Sequence, residues 1–497
     1  MPNSKGNCGS ILITILVFTS VFSIFLIGLV SLVLSQQRLV DRKIASDKAL
    51  QIAEAGINYY RWHLAHAIND YADGTGQTCD PCGPYTHTYS DPWGGVIGQY
   101  KIKVTPPPTG SDIVTVESTG WLNLFPNRKR KVAVQFRRPS LVKYVVIAND
   151  AMRFGADTDV YGEVHSNGGI RFDGVAHNII SSSRTTYIDP DSTGLCTIDS
   201  QNHNKCPGVW TSQTDPNTVF LAGIDFPVPV IDFSGMTTDL NKLKTLASNN
   251  GVKQNNYLWI GDGIYLGPSS KQGYLLQFKV VNNITKVDIF RVKSQTNSCN
   301  SQGTYGVSST DEVATNLVMP NNGIIFVEDN AWVEGQVYNT GLAVATARFP
   351  DTTDTNKNIY INNDLVYYGD YDTSKLNTTI GLIAQKNISV GLFSEDDLEI
   401  DAALLAQKGR IGRNYYSGDS CDNTYYKRNS ITIKGALATY GRYGFSWTNS
   451  QTGKWSSGYH YRNLIFNDQL RASPPPSYPV AGEYTFLSWK EMPTANE

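Results

Sequence analysis

The stretch SILITILVFTSVFSIFLIGLVSLVLSQQRLVDRKIASDKALQIAEAGINYYRWHLAHAI, residues 10–68, decides how the rest of the chain is read. From Ile11 to Leu34 it holds no charged residue and no proline, and only Thr14, Thr19, Ser20, Ser23, Gly28 and Ser31 interrupt the aliphatic and aromatic side chains. At ~1.5 Å per residue this makes a helix of roughly 36 Å, longer than the hydrocarbon core of a bilayer at about 30 Å. A secretory signal has a shorter apolar core and small residues before its cleavage site; here Ser35, Gln36, Gln37 and Arg38 follow and the helical pattern runs on. The expectation is an uncleaved single-pass anchor over residues 10–35. Beyond it, Ala49, Ala53, Gly56, Ile57, Tyr60, Leu64 and Ile68 recur at three- and four-residue steps, giving one apolar face that ends near residue 69 and needs a sheet to cover it.

The residues before the span narrow the reading. A polar leader, Met1 to Gly9, carries Lys5 and abuts Ser10-Ile11-Leu12-Ile13-Thr14, and the helix later reads Ala49-Leu50-Gln51-Ile52-Ala53-Glu54-Ala55-Gly56. In this arrangement the first 138 residues or so resemble type IV pilin-like proteins, in particular the PilX-like minor pilins. The resemblance implies that a prepilin peptidase cuts after Gly9 on the cytoplasmic face, that the mature chain starts at Ser10, and that the partners are the membrane and pilin-like subunits. Most pilins carry a glutamate at the fifth mature position, where this chain has Thr14. A hydroxyl cannot supply that charge, so the resemblance points to a minor, tip or membrane-held subunit and away from a bulk filament subunit. Arg38, Arg42 and Lys43 follow the span, and the positive-inside rule alone would put the large domain in the cytoplasm. The leader and the cysteines argue for export, which is the orientation we adopt.

A chain of 497 residues exceeds one ordinary core and should hold two or three units. With 42 basic and 44 acidic residues the formal net charge is -2, so bulk attraction to polyanions is absent and nucleic acid is not an expected partner. Few methionines with 43 glycines and 28 tyrosines point to a turn-rich β protein. Cleavage after Gly9 would remove Cys8 and leave Cys79, Cys82, Cys196, Cys206, Cys299 and Cys421. Cys79 with Cys82 and Cys196 with Cys206 form two local bridges in our reading, with Cys299 and Cys421 left as a long-range pair, although six cysteines admit about 15 pairings. A zinc site at the close pair lacks a second pair at ribbon spacing.

Residues 70–95 read as loop, broken by Gly74, Gly76, Pro81, Gly83, Pro84, Pro92, Gly94 and Gly95. Alternating runs at 98–105, 113–120 and 131–138 read as half-buried strands, with the basic run Arg128 to Lys131 topping a hairpin. Pro139 marks a boundary. After it, Ile359-x-Ile361 with Leu365, Leu398-x-Ile400 with Leu404 and Ile431-x-Ile433 with Leu437 repeat one pattern, and Leu382 to Lys386 is echoed by Leu404 to Lys408. Recurrence every twenty to forty residues is what stacked coils produce, each burying its inward side chains against its neighbours. The expected fold is mainly β with one long N-terminal helix: a transmembrane, pilin-like α-helix, a small antiparallel sheet, then a parallel β-helix (β-solenoid) with an inserted region. The expected division is leader 1–9, span 10–35, helix plus sheet 36–138, first solenoid part 139–178, insertion 179–322, solenoid 323–470 and a Pro-rich cap 471–497, whose aromatic residues would lie over the last coil.

No nucleophile elbow, zinc-protease motif, phosphate loop or dinucleotide fingerprint is present in the sequence, and we expect neither enzyme activity nor a cofactor or metal. His165 beside Asn167 and Glu163 reads as a hydrogen-bonded turn residue in preference to a catalytic base. Asp157, Asp159 and Asp173 have the chemistry of calcium ligands between coils, and the run Glu395, Asp396, Asp397, Glu399 and Asp401 that of paired carboxylates in a glycan-cleaving site; a solvated loop is the simpler account of the run. Tyr415, Tyr416, Tyr425, Tyr426, Trp447 and Trp455 are the candidate exposed rings for a surface glycan, although tyrosine is common on β surfaces. The expected function is a non-enzymatic, pilus-associated or membrane-anchored surface protein displaying the solenoid for adhesion. The alternatives are a surface polysaccharide lyase or hydrolase and a self-associating scaffold.

Overall fold

The computed structural model describes residues 8–67, 69–107, 113–137, 141–191, 196–198, 201, 203–231, 233, 236–299, 301–369, 378–418, 421, 424–449, 454–479 and 484–493. The leader up to residue 7, Ile68, Pro108 and Pro139 lie outside them. The chain divides into two compact units. The first takes the described residues up to 107, 113–137 and those from 484; the second takes 141–479.

In the first unit one α-helix, Cys8–His66, runs without a break. Its N-terminal part is exposed from Ile11 to Ile44. From Ala45 on, the small and aliphatic side chains Ala49, Ile52, Ala53, Ile57, Tyr60 and Leu64 are buried against an antiparallel sheet. The sheet runs Cys82–Ser90, Val96–Thr105, Ile113–Leu122, Phe125–Arg137 and Thr485–Met492, in that order. Alternation decides its faces: in Ile113–Leu122 every second side chain is buried, with Val114 and Val116 under the helix. Glycine sets the distance between the layers. A Cβ on Gly120 would meet the backbone of Ile52 at 2.9 Å and that of Ala49 and Ala53 closer still, and one on Gly56 would run into Tyr100 at 2.8 Å.

Three expectations for this unit are corrected. Residues 70–95 contain a strand, Cys82–Ser90, paired with Val96–Thr105; Pro81 and Pro84 fall at its start, where no ladder donor is needed. The basic run sits within a strand rather than on a turn, and two of its charges are matched across the sheet: Arg130 with Glu491, and Lys131 with Glu117 at 2.9 Å. Finally, the aromatic tail is not a cap. Thr485–Met492 pairs antiparallel with Phe125–Arg137 and supplies the fifth strand, because the fourth strand otherwise leaves a free edge that a β-rich tail can satisfy. Thr485 pairs with Arg137, so the chain leaves the sheet and returns to it at one register position.

The second unit is built of short parallel strands stacked in register. Ile264, Ile325, Val344, Leu382, Leu404, Leu437, Val146, Val164, Ile180 and Ile224 form one column, each paired with the next. All but the last, Ile224, lie in one apolar core. Burying each such side chain contributes about 1.5–3 kcal/mol, which is why the repeated Leu/Ile pattern of the sequence returns here as a column. At the turns an asparagine ladder replaces aliphatic stacking. The Oδ1 of Asn330 accepts from the N–H of Asn358 (3.0 Å), that of Asn358 from the N–H of Asn387 (3.2 Å), and that of Asn387 from the N–H of Arg410 (2.9 Å).

The column is not in chain order. The chain enters at Val146–Ala148, in the middle, and builds outward through Val164–Ser166, Ile180–Ser182 and Ile224–Asp225. It then passes through the helix Met236–Ser248 to the opposite end, where Ile264–Leu266 begins a second run that returns through Ile324–Val327, Gly341–Thr346, Thr379–Ala384 and Ala403–Ala406. The last turn closes on the first. Lys427–Thr439 pairs with Val146–Ala148, and Trp455–Phe466 with Thr158–Tyr161. Residues 179–322 are therefore only partly an interruption, since Ile180–Ser182, Ile224–Asp225, Ile264–Leu266 and Gly273–Val281 all join the stack; the first three have only two or three residues and leave no period to read. The longest antiparallel part is Gly273–Val281, Ile284–Gln295 and Val307–Val318, its first two strands turned at Asn282 and Asn283, which both take positive φ.

The outer face of the column is apolar too, and two segments cover it. Leu240, Leu243 and Ala247 of the helix Met236–Ser248 pack on Ile324 and Phe326, while Leu470 and Tyr478 join Ile383, Leu405 and Ala438 in the same cluster. Here the prolines have a place: a Cβ on Gly381 would touch Pro475 at 2.7 Å, and one on Gly341 would approach Pro476 at 3.2 Å. The Pro-rich segment thus lies along the side of the stack.

Candidate functional sites

Two features of the fold bear on function. The first is the unaccompanied helix. Ile11–His66 is long and apolar enough to cross a membrane, and its most apolar window is wholly exposed. Three of the hydroxyls within it are satisfied by the helix itself: Thr19 donates to the Ile15 carbonyl (2.9 Å), Ser20 to Val17 (2.8 Å) and Ser23 to Thr19 (2.7 Å). That leaves none of these three with a hydrogen unpaired in a medium without water. Gly9 and Ser10 lie in the first turn of the same helix.

The three disulfides join Cys79 to Cys82, Cys196 to Cys206, and Cys299 to Cys421. The last spans a sequence separation of 122 and ties the loop between the antiparallel strands Ile284–Gln295 and Val307–Val318 to the late turns of the stack.

The remaining sequence candidates separate. His165 is buried between Ser181 Oγ (3.1 Å from Nδ1) and Asn167 Oδ1 (3.2 Å from Nε2), and burial holds its pKa below the ordinary imidazole value. Asp173 is committed to Arg171 (2.8 Å) and to the N–H and Oγ of Ser212 (2.8 Å each), while Asp157 and Asp159 face His460 and His177 instead of one another. Among the described residues no three His, Cys, Asp or Glu side chains gather as a metal site. In the strand Asp397–Ile400 the acids alternate with buried Leu398 and Ile400, so Asp397 and Glu399 face outward, where Asp397 accepts from Ser430 Oγ (2.6 Å) and Glu399 lies 3.5 Å from Lys434. Asp401 is the exception. It is buried, its Oδ2 accepts the Tyr367 N–H (3.0 Å), its Oδ1 has no partner, and burial pushes its pKa up to about 6. Of the aromatic candidates Tyr415 is exposed, but Tyr416 is fully buried with its hydroxyl donating to the Gly303 carbonyl (2.7 Å).

The second feature was missed by sequence reasoning. A cavity of about 540 Å³ opens where the last turn of the stack meets the first, and five arginines line it: Arg153, Arg171, Arg410, Arg442 and Arg462. They come from separate stretches of chain, so nothing in a linear reading joins them. The adjacent parallel strands Met152–Phe154 and Ile170–Phe172 place Arg153 directly opposite Arg171. Arg171 is paired with Asp173, and Arg442 with Asp191. Arg410 donates to the carbonyls of Arg413 (2.8 Å) and Gly444 (3.1 Å), and Arg462 to Thr158 Oγ1 (2.7 Å), with Asp157 in its field. Burial, and next the neighbouring Arg171, hold Arg153 below the ordinary guanidinium value; for Arg410 the causes are burial and then Arg442.

No protein-family model matches the chain, and no curated protein matches it. Among solved structures, the competence-associated pilin ComZ from Thermus thermophilus aligns over 90% of this chain and 97% of its own, at 12% sequence identity and a TM-score of 0.29.

Proposed function

We propose that the chain is a non-enzymatic, single-pass surface protein of the type IV pilin-like class, which displays a β-solenoid outside the cell and associates with a pilus or remains in the membrane. The observation that supports this is the division of labour within one helix. Cys8–His66 buries its C-terminal half, Ala45 to Leu64, against a five-stranded sheet and leaves its apolar N-terminal half bare. A soluble core helix has no reason to extend some 34 exposed residues, Ile11 to Ile44, beyond its sheet; a bilayer or a bundle of like helices gives that half a solvent in which it is stable. In this reading the leader ends at Gly9, a prepilin peptidase exposes Ser10, the second unit is cargo carried between the fourth and fifth strands of the first, and export permits the disulfides. A surface glycan is the partner class that fits display of a wide polar β surface.

The test is the amino terminus of the mature protein from wild-type cells. Mass spectrometry should find a chain beginning at Ser10, and Gly9→Leu should leave the leader attached. An intact leader in wild-type cells would remove the pilin reading, and normal processing of the Gly9 variant would assign the cut to another protease.

A further inference from the structure

Five arginines and one carboxylate, Asp191, line the cavity at the joint of the stack. We propose that it is a binding site for an acidic sugar, one whose carboxylate or sulfate lies among Arg153, Arg171 and Arg442. The inference concerns the stacked unit alone and does not depend on the pilus reading.

Like charges directly opposite on adjacent strands destabilise a sheet by about 0.2–1 kcal/mol. The pairing of Arg153 with Arg171 is such an arrangement, made in a half-buried setting where screening is weak. Of the five guanidinium groups, two are matched by a carboxylate in ion-pair contact, Asp173 and Asp191. Arg153 feels the Asp191 and Asp173 carboxylates, but both are in contact with other arginines, Arg442 and Arg171. A planar fork of donors in that condition matches a carboxylate or sulfate in bidentate fashion.

The rest of the wall selects a sugar over a bare ion. About 540 Å³ is within the range of small-ligand sites, and far larger than one oxyanion requires. Trp447 and Tyr443 line it together with the polar side chains of Thr158, Thr448 and Asn449. Tyr443 is 5% exposed, and its buried hydroxyl has no hydrogen-bond partner.

The experiment is isothermal titration of the full chain in detergent with trigalacturonate, neutral maltotriose and sodium phosphate, at low and high salt. We expect trigalacturonate to bind, more weakly as salt rises, maltotriose to give no heat, and phosphate to bind at least about tenfold more weakly. Arg153→Gln should lower trigalacturonate affinity at least about tenfold while leaving the unfolding temperature of the sugar-free protein unchanged or higher, since it removes a repulsion. Trp447→Leu, which removes a ring from the cavity wall, should weaken binding several-fold and serves if the arginine variant fails to fold. Arg130→Gln, in the other unit, should leave affinity unaltered. Absence of trigalacturonate binding overturns the proposal. Phosphate binding as tight as trigalacturonate overturns the sugar assignment, and unchanged affinity in both cavity variants overturns the site.

Discussion

Replacing Asp401 by asparagine tests the energetics of the stacked unit most directly. The carboxyl is 3% exposed and receives one backbone N–H, from Tyr367, while its second oxygen has no partner. Burial is the main cause of its raised pKa; the Tyr367 N–H and Lys434 act in the opposite direction, and Glu399 and Asp364 add to the rise. The folded-state value is about 6 against 3.8 for the free group. The folded protein therefore holds this proton more tightly than the unfolded chain does. Its stabilising contribution is complete below pH about 3.8 and is lost as pH rises through about 6, beyond which the buried charge is a constant cost. At about 1.4 kcal/mol per pH unit the difference between those values corresponds to roughly 3 kcal/mol. Asparagine can still accept the Tyr367 N–H and does not titrate. Urea unfolding followed by circular dichroism at intervals from pH 4 to pH 8 should show the variant gaining on wild type by up to roughly 3 kcal/mol, most of it between pH 4 and 6.5. Any fixed cost of the amide shifts the whole curve without changing its slope. A wild-type-to-variant difference that stays level across this range would refute the account of Asp401 as a buried, poorly compensated acid.

Gly120→Val should push the helix off its sheet, since a Cβ there meets helix backbone, and lower the stability of the first unit by at least about 1–3 kcal/mol, read as an earlier thermal transition. Arg413→Met should cost about 3–5 kcal/mol: the guanidinium is fully buried and donates to the carbonyls of Gly391, Leu392, Tyr425 and Tyr426, which methionine leaves unpaired, and chemical denaturation measures the loss. Leu437→Asp places a charge in the register between Leu404 and Val146 and should open the stack to proteolysis within the paired turns at both Ala403–Ala406 and Val146–Ala148, mapped by mass spectrometry of the fragments. Cys299→Ser with Cys421→Ser should lower the unfolding midpoint by the equivalent of about 2–5 kcal/mol, because the cross-link restrains a long loop in the unfolded chain.

The legible parts of the sequence are those whose signal is local and repeated. The helix shows in its apolar run and three- to four-residue face, the sheet in Val114 and Val116 alternating with polar neighbours, and the stacked strands in the recurring Ile-x-Ile and Leu motifs. Signals that are short or distributed do not show. Cys82–Ser90 is hidden by prolines that stand at its edge, and Ile180–Ser182 and Ile224–Asp225 carry too few residues for any period. The tail, expected as a cap over the last coil, is a strand whose partner, Phe125–Arg137, is separated from it in sequence by the whole second unit. The arginine cavity is beyond linear reading for the same reason: its members are scattered from residue 153 to residue 462 and meet only because the last turn docks on the first.

That docking has a bearing on how the molecule comes into being. The turn made first, at Val146–Ala148, receives one neighbour early and the other only when Lys427–Thr439 arrives, about three hundred residues later. Until then a nascent or partly translocated chain presents a bare strand edge at the middle of its future stack, open to any extended peptide nearby. Completion of the molecule is thus a single late event, a clasp rather than a growing end, and a chain truncated before residue 427 would keep both halves of its body yet lack the joint that makes them one.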